Sequence, residues 1–126
     1  QAIRESLEVQ AARLASQHRE AEHVRLLNYW LNQRAVMSHQ PEPFAMAEFE
    51  IHRVVAEASG NPFLRAASAI MEFGVAVSVL AQLDKDLSAP PGGLAEAHAV
   101  GYEALVRAIE RGDADTAAAQ MAALTR

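Results

Sequence analysis

The sequence predicts an all-α fold, an antiparallel bundle of about six helices. Three observations carry this. Apolar residues recur at intervals of three and four along most of the chain, the spacing that gathers them on one face of a helix. Alanine is abundant, while Gly and Pro number only 6 and 5 of 126 residues and sit in a few places, so helix formers dominate between well-marked breaks. Those breaks are short, which folds consecutive helices back on one another. A chain of this length buries one ordinary core, so residues 1–126 are expected to form a single domain.

Taken in order, Ile3, Leu7, Ala11 and Leu14 place the first helix at 2–17, and Val24, Leu27 and Leu31 the second at about 20–37. Pro41 and Pro43 break the pattern. After them Phe44, Ala47, Ile51, Val54, Val55 and Ala58 form the apolar face of a third helix. Its end at "SGNP" is the clearest signal in the chain: Gly60 suits the left-handed position after a helix, Asn61 the next N-cap and Pro62 the first helical residue. A fourth helix at about 62–86 is apolar almost all round, as a central buried helix would be, and "SAPPGG" ends it. Leu94, His98, Tyr102, Leu105 and Ile109 share a stripe on a fifth helix at about 93–111. Gly112 and Asp113 then restart a sixth, which carries Ala117, Met121 and Leu124.

Composition excludes several functions. A formal charge of −5 offers no positive field for a phosphate backbone, so this chain by itself is not expected to bind DNA. The lack of cysteine removes disulfides and thiolate metal sites and fits a reducing cytoplasm. No apolar run approaches the roughly 20 residues that cross a bilayer, so no membrane partner is expected. Because the chain opens on Gln1 within helical sequence, a preceding N-terminal neighbour is expected.

Chemistry, if there is any, rests on a handful of polar residues. Glu48 and His52 stand one turn apart at the margin of the third helix's apolar face, with Ser59 extending that edge. Such a pair can chelate one cation, or bond one anionic ligand through the imidazole. From spacing alone, a partly exposed Glu–His pair is the simpler reading. His98 and Tyr102 occupy the middle of an apolar stripe, which suits either a cavity lining or a core pair satisfied from within. Arg4 borders the first helix's stripe, where its stem can cover the core and its charge reach solvent or a pocket. His18, His23 and His39 read as surface residues, and the off-stripe Trp30 and Phe49 as contacts for a second subunit or domain. No Gly-rich phosphate loop, nucleophile triad or pair of catalytic carboxylates can be assembled, so no enzyme is expected.

Together "AIRESLEVQAARLAS", "EIHRVVAEASGNPFL" and "ALVRAIERGDADTAAAQM" resemble the C-terminal effector-binding FCD domain of FadR-type regulators in the GntR family. The resemblance implies an antiparallel helical bundle that binds a small effector, forms a homodimer and is joined in the full protein to an N-terminal winged helix-turn-helix. DNA would be met only through that absent domain. Many members of the family hold a divalent metal with an acidic residue and a histidine spaced as Glu48 and His52 are, plus two later histidines. Here those two positions fall on Tyr102 and Leu124, so no tight metal site is expected and Glu48, His52 and His98 remain only weak donors. Arg4 falls where the family tends to carry an arginine facing the effector. The resulting expectation is a cytoplasmic transcription regulator's sensing domain, binding a small organic acid or similar metabolite through Arg4, Glu48, His52, His98 and Tyr102. The rivals are a metal-dependent helical-bundle enzyme and a purely structural dimerisation bundle.

Overall fold

The computed structural model describes residues 2–70 and 93–126. Among them lie α1 (Ala2–His18), α2 (Ala21–Val36), α3 (Pro41–Ala58), the helical stretch 62–70 of α4, α5 (Gly93–Glu110) and α6 (Ala114–Leu124), and no strand. The expected all-α bundle is what forms. Residues 71–86 of the expected fourth helix, and most of the "SAPPGG" loop, lie outside the described residues. No described helix is long and apolar enough to cross a membrane.

Local chemistry explains most boundaries. At the "SGNP" junction Gly60 takes φ 71°, a conformation that costs a residue with a Cβ about 1 kcal/mol or more. The Asn61 carboxamide oxygen then accepts from the backbone N–H of Phe63 at 2.9 Å and of Leu64 at 3.1 Å, opening α4. One expectation fails here: Pro41 and Pro43 lie inside the first turn of α3 instead of preceding it. First-turn N–H groups have no helical acceptor, so proline sacrifices nothing there and its fixed φ favours the helix. At the start of α2, His23 Nδ1 accepts from the Glu20 N–H at 3.0 Å. Arg19, between α1 and α2, donates to the carbonyls of Ser16 and Glu110, each at 3.3 Å. One cation thereby serves the C-terminal ends of both α1 and α5, where the helix dipole favours it. Gly112, φ 76°, lies close by; a Cβ added there would meet Arg19 Nη2 at 3.3 Å.

Short connections make neighbours of α2 with α3 and of α5 with α6, as expected, but not of α1 with α2. Although only two residues join them, α1 and α2 are not packed on each other: α1 lies against α6, α3 and α5, while α2 lies against α3 and α5. Alanines 11, 12 and 15 of α1 and Ala117 of α6 share the core with Leu27, Ile51, Val54, Val55, Leu105, Ile109 and Met121. Small side chains allow close approach, as at Gly101, where an added Cβ would stand 3.0 Å from Leu124. Trp30, expected as a contact for a partner, packs partly buried against this core.

The N-cap of α6 supplies a pH test. Asp113 accepts from the Thr116 hydroxyl at 2.7 Å and from its N–H at 3.1 Å, and these bonds, the hydroxyl's first, hold its carboxyl below the ordinary value of 3.8. A carboxylate depressed in the folded state stabilises above its unfolded value, and that contribution is lost as the pH falls through the folded one. Asp113→Ala is therefore expected to lower the melting temperature at neutral pH, with the gap to wild type closing below about pH 4; thermal melts across that range check it.

Candidate functional site

Buried polar side chains from four helices converge near the middle of the bundle. From α3, His52 is 2% exposed and turns one ring nitrogen to each side. Its Nδ1 stands 2.8 Å from Glu8 Oε2 on α1, and its Nε2 stands 2.8 Å from the Tyr102 hydroxyl on α5. A carboxylate only accepts, so the proton of a neutral imidazole belongs on Nδ1, leaving Nε2 to accept from the Tyr102 O–H. Glu8 Oε2 lies off the Nδ1–H axis, which makes that contact chiefly electrostatic. The same oxygen accepts from Arg4 Nη2 at 3.2 Å, one turn earlier on α1.

A second ion pair adjoins the first through the tyrosine ring. Arg34, on α2, is 3% exposed and donates from Nε to Glu48 Oε2 on α3 at 2.9 Å. Its guanidinium carbon lies 4.8 Å from the Phe44 ring centroid and 4.7 Å from that of Tyr102, distances at which a desolvated cation is attracted to both rings. Nη2 of Arg34 is buried with no acceptor among the described residues, a condition that costs about 1–3 kcal/mol.

Of the five residues singled out from sequence, Arg4, His52 and Tyr102 are drawn into one connected cluster. Glu48 stands beside it but turns to Arg34. His98, one turn before Tyr102, is half-buried and, among the described residues, takes no part in the cluster's hydrogen bonds. Two members escaped sequence reading. Glu8 follows Arg4 by four and precedes Ala12 and Ala15 by four and seven, which puts it on α1's small-residue face; Arg34 follows Leu27 by seven, on the apolar stripe of α2. Each signal is a charged residue at a core register position.

This donor set does not fit a divalent cation. His52 faces Glu8 with one nitrogen and Tyr102 with the other, Glu48 is held by a permanent cation, and no three His, Asp or Glu side chains gather among the described residues. A tight site wants at least three protein donors. What the cluster can do instead is bond an acidic group through arginine, imidazole or phenol donors, at the expense of contacts already made.

The Arg34–Glu48 pair also sets a stability test. Arg34→Met is expected to cost about 3 kcal/mol by leaving a part-buried carboxylate alone, and Glu48→Leu added to it to recover most of that. Urea denaturation of the single and double variants measures both.

A family model described as the FCD domain matches residues 1–126, while comparison with curated proteins finds no match. The buried polar cluster thus lies in a helical bundle whose whole length carries the family's pattern, and the chain belongs to the FCD family, the C-terminal domain of GntR-family transcription regulators.

Proposed function

We propose that this domain senses a small organic acid or similar metabolite through the cluster of Arg4, His52 and Tyr102, with Glu48 and His98 beside it. FCD is a regulatory family, not a catalytic one. In this reading the acid favours one placement of the helices over another, and a winged helix-turn-helix joined ahead of α1 translates that choice into operator binding. The observation that carries the proposal is His52, buried and shared between Glu8 of α1 and Tyr102 of α5. A ligand that takes over either contact changes how three helices are held, whereas a dimerisation bundle has no need of charge in its interior.

Thermal-shift measurements against a panel of small organic acids identify ligands, and calorimetry then compares wild type with His52→Ala. Binding is expected to weaken by about 1–3 kcal/mol, the range for one lost bond to a charged group. A panel in which no acid shifts the melting temperature favours the structural bundle and sinks the sensing reading.

The domain is also proposed to form a homodimer. The family resemblance supports this, and Ile3, Tyr29, Val36, Met46, Phe63 and Val100 are large apolar side chains between 48% and 81% exposed that a second copy could cover. Sedimentation equilibrium is expected to show a concentration-dependent dimer, and a monomer at every concentration counts against it.

A further inference from the structure

The seam between α2 and α5 holds a groove of about 410 Å³. Asn28, Asn32 and Arg34 line it from α2; Ala99, Glu103 and Arg107 line it from α5. Its two cations are in different states. Arg107 is engaged by Glu110 at 2.8 Å, by Glu103 at 3.4 Å and by the Asn28 carboxamide oxygen. Arg34 is nine-tenths buried and more, its Nε is bonded to Glu48 and aromatic rings lie close to its guanidinium, yet Nη2 has no acceptor among the described residues. Two buried guanidinium nitrogens of the groove's lining residues thus lack a hydrogen-bond acceptor among the described residues, Nη2 of Arg34 and Nε of Arg107, the latter 3.4 Å from the Glu103 carboxylate.

We propose that the α2–α5 groove admits a short-chain monocarboxylate whose head group is taken by Arg34. This deepens the sensing function proposed above and rests on it. A carboxylate offers two coplanar oxygens to a guanidinium fork and brings the charge that a neutral acceptor lacks. Leu31, Ala35 and Ala99 give the groove apolar wall for a body of a few carbons, and Glu103 disfavours a second negative charge. Nη2 is enclosed, so seating the acid turns the guanidinium toward the groove. That turn competes with the Nε bond to Glu48 and shifts the cation against the Tyr102 ring. Tyr102 in turn bonds His52, which faces Glu8. Arg34 is thus the residue common to the groove and the buried cluster, and it gives the acid a recognition group that does not involve a metal.

The test titrates the chain with sodium butyrate, followed by ¹⁵N–¹H spectra, against butyramide and against sodium chloride at matched ionic strength. Butyrate alone is expected to give saturable shifts at the amides of Leu31, Ala35 and Ala99 and, with the same midpoint, at Tyr102 and His52. Because Arg34 variants disturb a buried pair, the groove is blocked from its exposed wall: Ala99→Trp is expected to leave the spectrum folded and weaken butyrate by about tenfold or more. Equal shifts with butyramide, no saturable response to butyrate, or an unchanged butyrate midpoint in Ala99→Trp overturns the proposal. Shifts confined to Arg4, His52 and their neighbours, indifferent to Ala99→Trp, overturn the Arg34 anchor while leaving acid sensing intact. The acid panel decides the sensing reading separately.

Discussion

A buried carboxylate, imidazole and phenol in series constrain the interior of this molecule more than any apolar contact does. Glu8, His52 and Tyr102 come from α1, α3 and α5, and each is no more than 5% exposed. Apolar surfaces can slide by a fraction of a residue at small cost, but a buried polar group must meet its partner within a few tenths of an ångström. The three helices are therefore held in register by the 2.8 Å contacts on either side of one imidazole. Arg4 lies beyond Glu8 and the Arg34–Glu48 pair beyond Tyr102, so a guanidinium and a carboxylate stand on either side of the imidazole and phenol.

Such a network is a poor way to gain stability. Well-packed apolar residues of equal volume usually stabilise as much as a buried ion pair, or more. The elements that make the bundle stable lie elsewhere, in the alanine-lined contact of α1 with α6 and in the core around Ile51, Leu105, Ile109 and Met121. Under the proposed sensing, this separation of roles would let the polar centre exchange partners while the apolar layers keep the fold.

How much of this was legible in the sequence follows from the range of each interaction. The end of α3 at Gly60 and the cap at Asn61 depend on neighbours in the chain and were readable residue by residue. The proline reading failed by a few positions, because the same residue that interrupts a helix interior opens a helix at its first turn. His52 and Tyr102 were visible as polar residues at core positions. Glu8 and Arg34 were not, since a charged residue on an apolar stripe ordinarily sends its head group to solvent. What keeps them inside is a partner on another helix: His52 on α3 for Glu8, and Glu48 on α3 for Arg34. His98 shows the converse, a register position that promised the interior and is only half-buried.

Arg19 gives the assembly a mechanical asymmetry. By bonding the carbonyl ends of α1 and α5 together beside Gly112 it pins one end of α1, and the Arg13–Asp115 pair at 2.6 Å ties the middle of that helix to α6. Toward the other end α1 meets the interior through Glu8 and Arg4. At 17 residues the helix is about 25 Å long, so under the proposed sensing a small displacement at Glu8 about a pivot near Arg19 would become a larger one at Ala2. If the domain senses as proposed, the Arg19 end would act as the fulcrum, the imidazole as the load point, and the first turns of α1, held to the C-terminus by Glu5 and Arg126 at 3.7 Å, as the part that travels furthest.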